Sequence, residues 1–115
     1  MTLHLFGIKA CDTMKKARVF LDGRGVAYTF HDYKVEGVTA ERLAEWAAKV
    51  GWEKLLNRAG TTFRKLPEEA RADLDEAKAI ALMVAQPSMI KRPVATFGEE
   101  ILVGFRPEEW ARALG

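Results

Sequence analysis

The chain opens strand, helix, strand, and that order constrains its fold more than any other feature. Thr2 to Phe6 alternates Leu3 and Leu5 with His4 and Phe6 and meets Gly7, the mark of a short strand. From Asp12 to Arg24, Ala17, Phe20 and Leu21 recur at helical spacing, and Gly23 and Gly25 close the segment. Val26 to Tyr33 is rich in β-branched and aromatic residues and reads as a second strand. A crossover of this length lets the two strands pair in parallel. The chain ends differently. Pro87 and Pro93 punctuate a loop, after which Val94 to Phe97 and Ile101 to Val103 read as strands joined by the short Gly98-Glu99-Glu100. Pro107-Glu108-Glu109 then starts a final helix carrying Trp110 and Leu114. The two ends together predict an α/β fold with a mixed sheet, β-α-β first and β-β-α last.

The middle is helical. Thr39 is a candidate N-cap, Leu43, Trp46, Ala47 and Val50 form one apolar stripe, and Gly51 stands where a stop belongs. Trp52 to Leu56 adds a short turn, Asn57 to Lys65 reads as a loop, and Pro67-Glu68-Glu69 as a first helical turn. Asp73 and Glu76 have capping-box spacing ahead of Ala77 to Gln86, a segment apolar almost all round and therefore expected to be buried. No linker, repeat or low-complexity stretch interrupts the 115 residues, which predicts one domain.

Composition mainly excludes. Eighteen Lys and Arg against sixteen Asp and Glu leave a formal charge of +2, too balanced for a dedicated nucleic-acid or membrane-surface binder. The three tryptophans are not interleaved with basic residues as a nucleic-acid platform requires. The longest apolar run, Ala79 to Ala85, is seven residues, whereas a membrane-spanning helix needs about 20. His4 and Lys9 break up any candidate signal core, so the expected location is the cytoplasm. His4 and His31 lie on separate strands with no ligand at metal spacing and read as structural histidines. No metal or bound cofactor is expected, because a single cysteine also excludes a thiolate cage and an intrachain disulfide.

That cysteine, Cys11, falls just beyond the first strand, where the first helix begins. A thiolate there meets unpaired backbone N–H groups and the positive end of the helix dipole, both of which favour the charged form. Lys9 and Lys15 add positive charge nearby, Asp12 opposes it, and Thr13 offers an amide and a hydroxyl. The same placement also suits a buried, inert thiol. Arg58, Arg92 and Arg106 lie in three separate loops, and loops at strand ends of an α/β sheet gather around one site. Their guanidinium forks match carboxylate, phosphate or arsenate oxygens, although each alone reads as a solvated surface arginine. Pro93 reads as strand-start punctuation or as a cis proline shaping the backbone opposite the thiol. Met14 stands where a redox C-x-x-C would carry its second cysteine, so any disulfide is intermolecular.

These residues resemble the arsenate reductase (ArsC/Spx) family over essentially the whole chain. The resemblance rests on the lone cysteine after the first strand, Lys91-Arg92-Pro93-Val94 and the closing Gly104-Phe105-Arg106-Pro107. Gly7-Ile8-Lys9-Ala10-Cys11-Asp12-Thr13-Met14-Lys15-Lys16-Ala17-Arg18, Asn57-Arg58-Ala59-Gly60-Thr61-Thr62-Phe63-Arg64 and Gln86-Pro87-Ser88-Met89-Ile90-Lys91-Arg92-Pro93 look most like its YffB-like branch. The family implies a thioredoxin-like fold with a helical insertion, here approximately residues 39–86, with Cys11 as nucleophile and Pro93 as the cis proline. In its glutathione-linked arsenate reductases, arginines matching Arg58, Arg92 and Arg106 hold the oxyanion. Those enzymes follow their cysteine with a small residue and Ser-Arg-Asn, and carry a histidine shortly before it. Here Asp12-Thr13-Met14-Lys15 follows and Ile8 precedes.

The resemblance thus implies a glutathione-dependent thiol or oxyanion reductase. Cys11 would be catalytic, and Arg58, Arg92, Arg106, Thr13, Lys9 and Pro93 would form the substrate and anion site. Glutathione or a glutaredoxin would supply the resolving thiol to a small oxyanion or disulfide substrate. The alternatives are an Spx-like regulator docking on the RNA polymerase α subunit and an inactive thioredoxin-like binding module.

Overall fold

Period-2 apolar alternation places the strands, and the sheet they build is mixed. The structure, a computed structural model, describes residues 2–9 and 11–114. Met1, Ala10 and Gly115, which belong to the expected 1–115 extent and, for Ala10, to the cysteine motif, lie outside the described residues. Among the described residues one sheet runs in the order β2-β1-β3-β4, with β1 Leu3–Gly7, β2 Tyr28–Asp32, β3 Val94–Phe97 and β4 Glu100–Val103. β1 and β2 are parallel, whereas β1–β3 and β3–β4 are antiparallel. The crossover between the parallel strands is α1, Asp12–Gly23, and α8, Pro107–Leu114, follows the hairpin. This is the thioredoxin-like arrangement.

The chain forms two compact units, one of residues 1–35 with 92–115 and one of residues 36–91. In the first, the register sets Leu3 and Leu5 of β1, Ala95 and Phe97 of β3 and Leu102 of β4 on one face of the sheet. They share a core with Met14, Ala17 and Leu21 of α1 and Trp110 of α8. Met14, Ala17 and Leu21 are spaced i, i+3 and i+7, so one stripe of α1 is buried and the opposite face is wet. Full burial of one such leucine stabilises by about 1.5–3 kcal/mol. On the other face, the ring of His4 reaches His31 across the parallel pair, Nδ1 to Nε2 at 2.9 Å. Phe6 stacks on His31 with ring centroids 4.5 Å apart. The two histidines are therefore partners of one another, a pairing of residues 27 apart in sequence.

In the second unit, α3 (Ala40–Val50), α4 (Trp52–Leu55) and α7 (Glu76–Ala85) pack together. Thr39 caps α3 as its sequence predicts, its hydroxyl accepting from the Arg42 N–H at 3.1 Å. Gly51 ends α3 at φ +89, a conformation that disfavours side chains. Three expectations change. Asn57–Lys65 is not wholly loop, because Thr61–Arg64 forms a helical turn, α5, with Phe63 buried at its centre. One buried aromatic anchors a turn too short for periodicity to reveal. Asp75, not Asp73, caps α7, and its carboxylate accepts from the Lys78 N–H at 2.8 Å. A cap must immediately precede the first helical residue, and Asp73 instead lies at φ +50.

α7 also departs from its expected burial, since Ala79 and Met83 are its buried residues and Val84 is 38% exposed. Half of its apolar residues are alanine, which favours helix whether or not it is covered. Two short turns, α2 (Tyr33–Glu36) and α6 (Glu68–Arg71), and the 3₁₀ turn Pro87–Met89 complete the helical elements described. Among the described residues no helix is long and apolar enough to cross a membrane.

Candidate active site around Cys11

The end of β1 hands the chain to α1 through a short turn in which the Cys11 N–H donates to the Ile8 carbonyl at 3.3 Å. Cys11 is the N-cap of α1, with extended backbone at φ −97 and ψ 132. Its carbonyl accepts the first helical hydrogen bond, from Lys15 N–H at 3.1 Å. Thr13 and Met14 are then the second and third helical residues, whose amides have no partner within the helix and face the cap side chain. The half-buried sulfur lies in the reach of both without closing a regular capping hydrogen bond.

Burial is the largest single influence on the Cys11 thiol and pushes its pKa up. The Met14 and Thr13 amides act against it, as does the Arg92 guanidinium, both as hydrogen-bond donor and as charge. Together they win, and the pKa lies below the ordinary thiol value. The structure thus brings Cys11, Thr13 and Arg92 together within the sheet unit. Lys9 and Lys15 are exposed, and the cation acting on the sulfur is Arg92. Side chains held in water are screened, which is why proximity in sequence did not translate into influence.

Arg92 is placed by the sheet. The Arg92–Pro93 peptide is cis, and Pro93 is buried at the entrance to β3. The Pro93 carbonyl accepts from the Gly104 N–H at 2.8 Å. This ties the turn that carries Arg106 to the segment that carries Arg92. Gly104 takes φ +76, a value natural to glycine. Its carbonyl accepts from the Trp110 indole N–H at 3.0 Å, and the Trp110 N–H donates to the Arg106 carbonyl at 2.9 Å. Phe105 and Trp110 meet edge to face at 5.2 Å, and Phe20 of α1 meets Phe105 in the same way at 5.5 Å. The backbone of the Arg106 turn is therefore held at both ends, while its side chain is exposed. Arg58 belongs to the helical unit, where its guanidinium lies over the Trp52 ring, 5.3 Å from the centroid.

The ArsC family pattern matches residues 6–113, from the end of β1 into the final helix. The chain belongs to the ArsC family. A solved YffB protein is 64% identical and superposes with a TM-score of 0.96, covering 98% of this chain and 99% of that one. The solution structure of an arsenate reductase (ArsC) related protein from Brucella melitensis is 54% identical, with a TM-score of 0.80 over 99% of this chain and 95% of that one. An uncharacterised protein of Haemophilus influenzae is 35% identical over 111 residues, 96% of this chain and 97% of its own length. The matched span includes the cysteine at the helix start, Arg92-Pro93 and the Arg106 turn. Sequence reasoning missed Gly7 and the packing of Met14, whose side chain is fully buried against that glycine. A glycine closing a strand just before a helix start that carries the lone cysteine was the available signal.

Proposed function

We propose that this ArsC-family protein is a single-cysteine thiol reductase that depends on glutathione or a glutaredoxin. The observation that carries the reading is the Cys11 sulfur at the cap of α1, with Thr13 and Met14 amides and Arg92 lowering its pKa. A lowered pKa leaves more thiolate, the attacking species, at neutral pH. With a mixed disulfide of glutathione, the Cys11 thiolate attacks the glutathione sulfur. A new S–S bond forms on Cys11 as the substrate's S–S bond breaks, and the substrate leaves as a thiolate that takes a proton from solvent. A second glutathione thiolate then attacks the adduct, frees Cys11 and leaves as glutathione disulfide. The chain has one cysteine, so no internal thiol can perform this second step.

Arsenate would follow the same logic. Sulfur bonds to arsenic, an oxide leaves as water, and the thiol of glutathione attacks the Cys11 sulfur. Arsenic(V) is reduced to arsenic(III) as Cys11 and glutathione are joined in a disulfide, which a second thiol resolves. Arg92 would hold the anionic end of either substrate. Arg106 of the same unit is the further guanidinium candidate, and Thr13 a hydrogen-bond donor.

The test combines alkylation and mass spectrometry. Cys11 should react with iodoacetamide well below the pH at which free cysteine does. It should also gain one glutathione when exposed to glutathione disulfide and lose it to excess glutathione. Ordinary thiol reactivity, with no adduct, sinks the proposal.

A further inference from the structure

We infer that Gly7 and Met14 are positioning residues, a lock that holds the first turn of α1 in the orientation its amides need to meet the Cys11 sulfur. The inference rests on Cys11 being the reactive group. Gly7 is the last residue of β1, paired with Asp32 of β2 and buried. Met14 is the third residue of α1, and its side chain is fully buried. A Cβ built on Gly7 would lie 2.7 Å from the Met14 Cε and 3.2 Å from its Cγ, and closer still to its Sδ. The two residues therefore clamp the chain on either side of the turn that displays Cys11. Only a glycine lets the thioether lie against the strand backbone.

Position in the helix gives this packing its chemical consequence. The residue whose side chain fills the space beside Gly7 is also the third residue of α1, whose amide is one of the two helix-start donors that act on the Cys11 thiol. Met14 cannot turn its amide without withdrawing its side chain from the core it shares with Leu5, Ala17 and Leu21. In that core there is no solvent into which the thioether can swing, although a methionine adapts its rotamer more readily than a branched residue. The position that a dithiol enzyme would give to its second cysteine thus serves here to aim a backbone donor. Arg92 is the charged group acting on the same sulfur, and it sits on a different segment that the lock does not touch in sequence.

The experiment is the pH dependence of Cys11 alkylation in the full chain, read beside circular dichroism to confirm folding. Gly7→Ala forces the thioether away and should slow alkylation at neutral pH on the order of threefold, the profile moving to higher pH. In Gly7→Ala/Met14→Ala the new methyl meets a shortened side chain, and the wild-type profile should return at least in part. Met14→Leu keeps a buried aliphatic chain but loses the terminal methyl laid against Gly7, and should shift the profile in the same direction by less. It decides the matter if Gly7→Ala does not fold. A purely structural contact would lower stability and leave the profile where it was, so a folded Gly7→Ala or Met14→Leu with the wild-type profile overturns the inference. If the wild type itself alkylates like free cysteine, the proposed function fails first, and the two failures are distinguishable.

Discussion

The N-terminus of α1 and those of α3 and α7 solve one physical problem in two ways. Each helix begins with amides that have no partner within the helix. On α3 and α7 the cap side chain meets that need directly, Thr39 accepting from Arg42 and Asp75 from Lys78. These ends are closed by their own sequence, and their positive potential is spent on their own caps. On α1 the cap is Cys11, a poor acceptor while it remains a thiol, and no regular capping bond forms. The amides of Thr13 and Met14 then favour whatever negative charge the sulfur acquires. The difference separates a helix start closed by its own cap from one whose open donors favour a thiolate.

The largest effect expected to test this contrast is loss of chemistry. Cys11→Ser should reduce turnover of a glutathione mixed disulfide to the uncatalysed rate, followed through the glutathione disulfide released. Next comes Arg92→Ala, which removes the cation at the sulfur. Alkylation at neutral pH should slow on the order of tenfold, and a rate unchanged from wild type would leave the helix amides as the sole support of the thiolate. The capped helices should respond in stability instead. Thr39→Ala and Asp75→Ala should each cost about 1 kcal/mol in urea unfolding. By contrast, Cys11→Ser introduces a better cap and should cost nothing at mildly acidic pH. If it destabilises as the other two do, the contrast between the helix starts is broken.

The smallest effect is a pH dependence. Folding lowers the Cys11 pKa, so the folded protein releases the thiol proton at a pH where the unfolded chain still binds it. The resulting stabilisation is fully present above the unfolded pKa and is lost as pH falls through the folded pKa. The stability of the wild type relative to Cys11→Ser should therefore rise with pH across that window. A flat or falling difference would mean that the thiolate gains nothing from its surroundings.

Legibility in the sequence followed the range of the interaction involved. The β-α-β opening, the hairpin, the Thr39 cap and the Gly51 stop depend on residues within a few positions of one another, and the structure contains all of them. Aspartates at 73 and 75 both satisfy the local rule for a helix start, and only the folded chain selects Asp75 as the cap of α7. The turn at Thr61–Arg64 was missed because its organising feature is burial of Phe63, not a pattern along the chain. At the candidate site, Cys11 at a helix start was readable from spacing alone. That Arg92 reaches its sulfur was not, since the two residues meet only once β3 lies beside β1.

The sequence by itself determined the mixed α/β order, the single thiol and its place at the head of α1, because hydrophobic period and helix punctuation are local physical requirements. Tertiary structure alone decided what surrounds that thiol. It set β1 between β2 and β3, seated Met14 against Gly7, joined His4 to His31, and brought Arg92 to the sulfur. Those contacts depend on which strands become neighbours, a choice made by burying apolar surface from distant segments at once. No short window of residues encodes it.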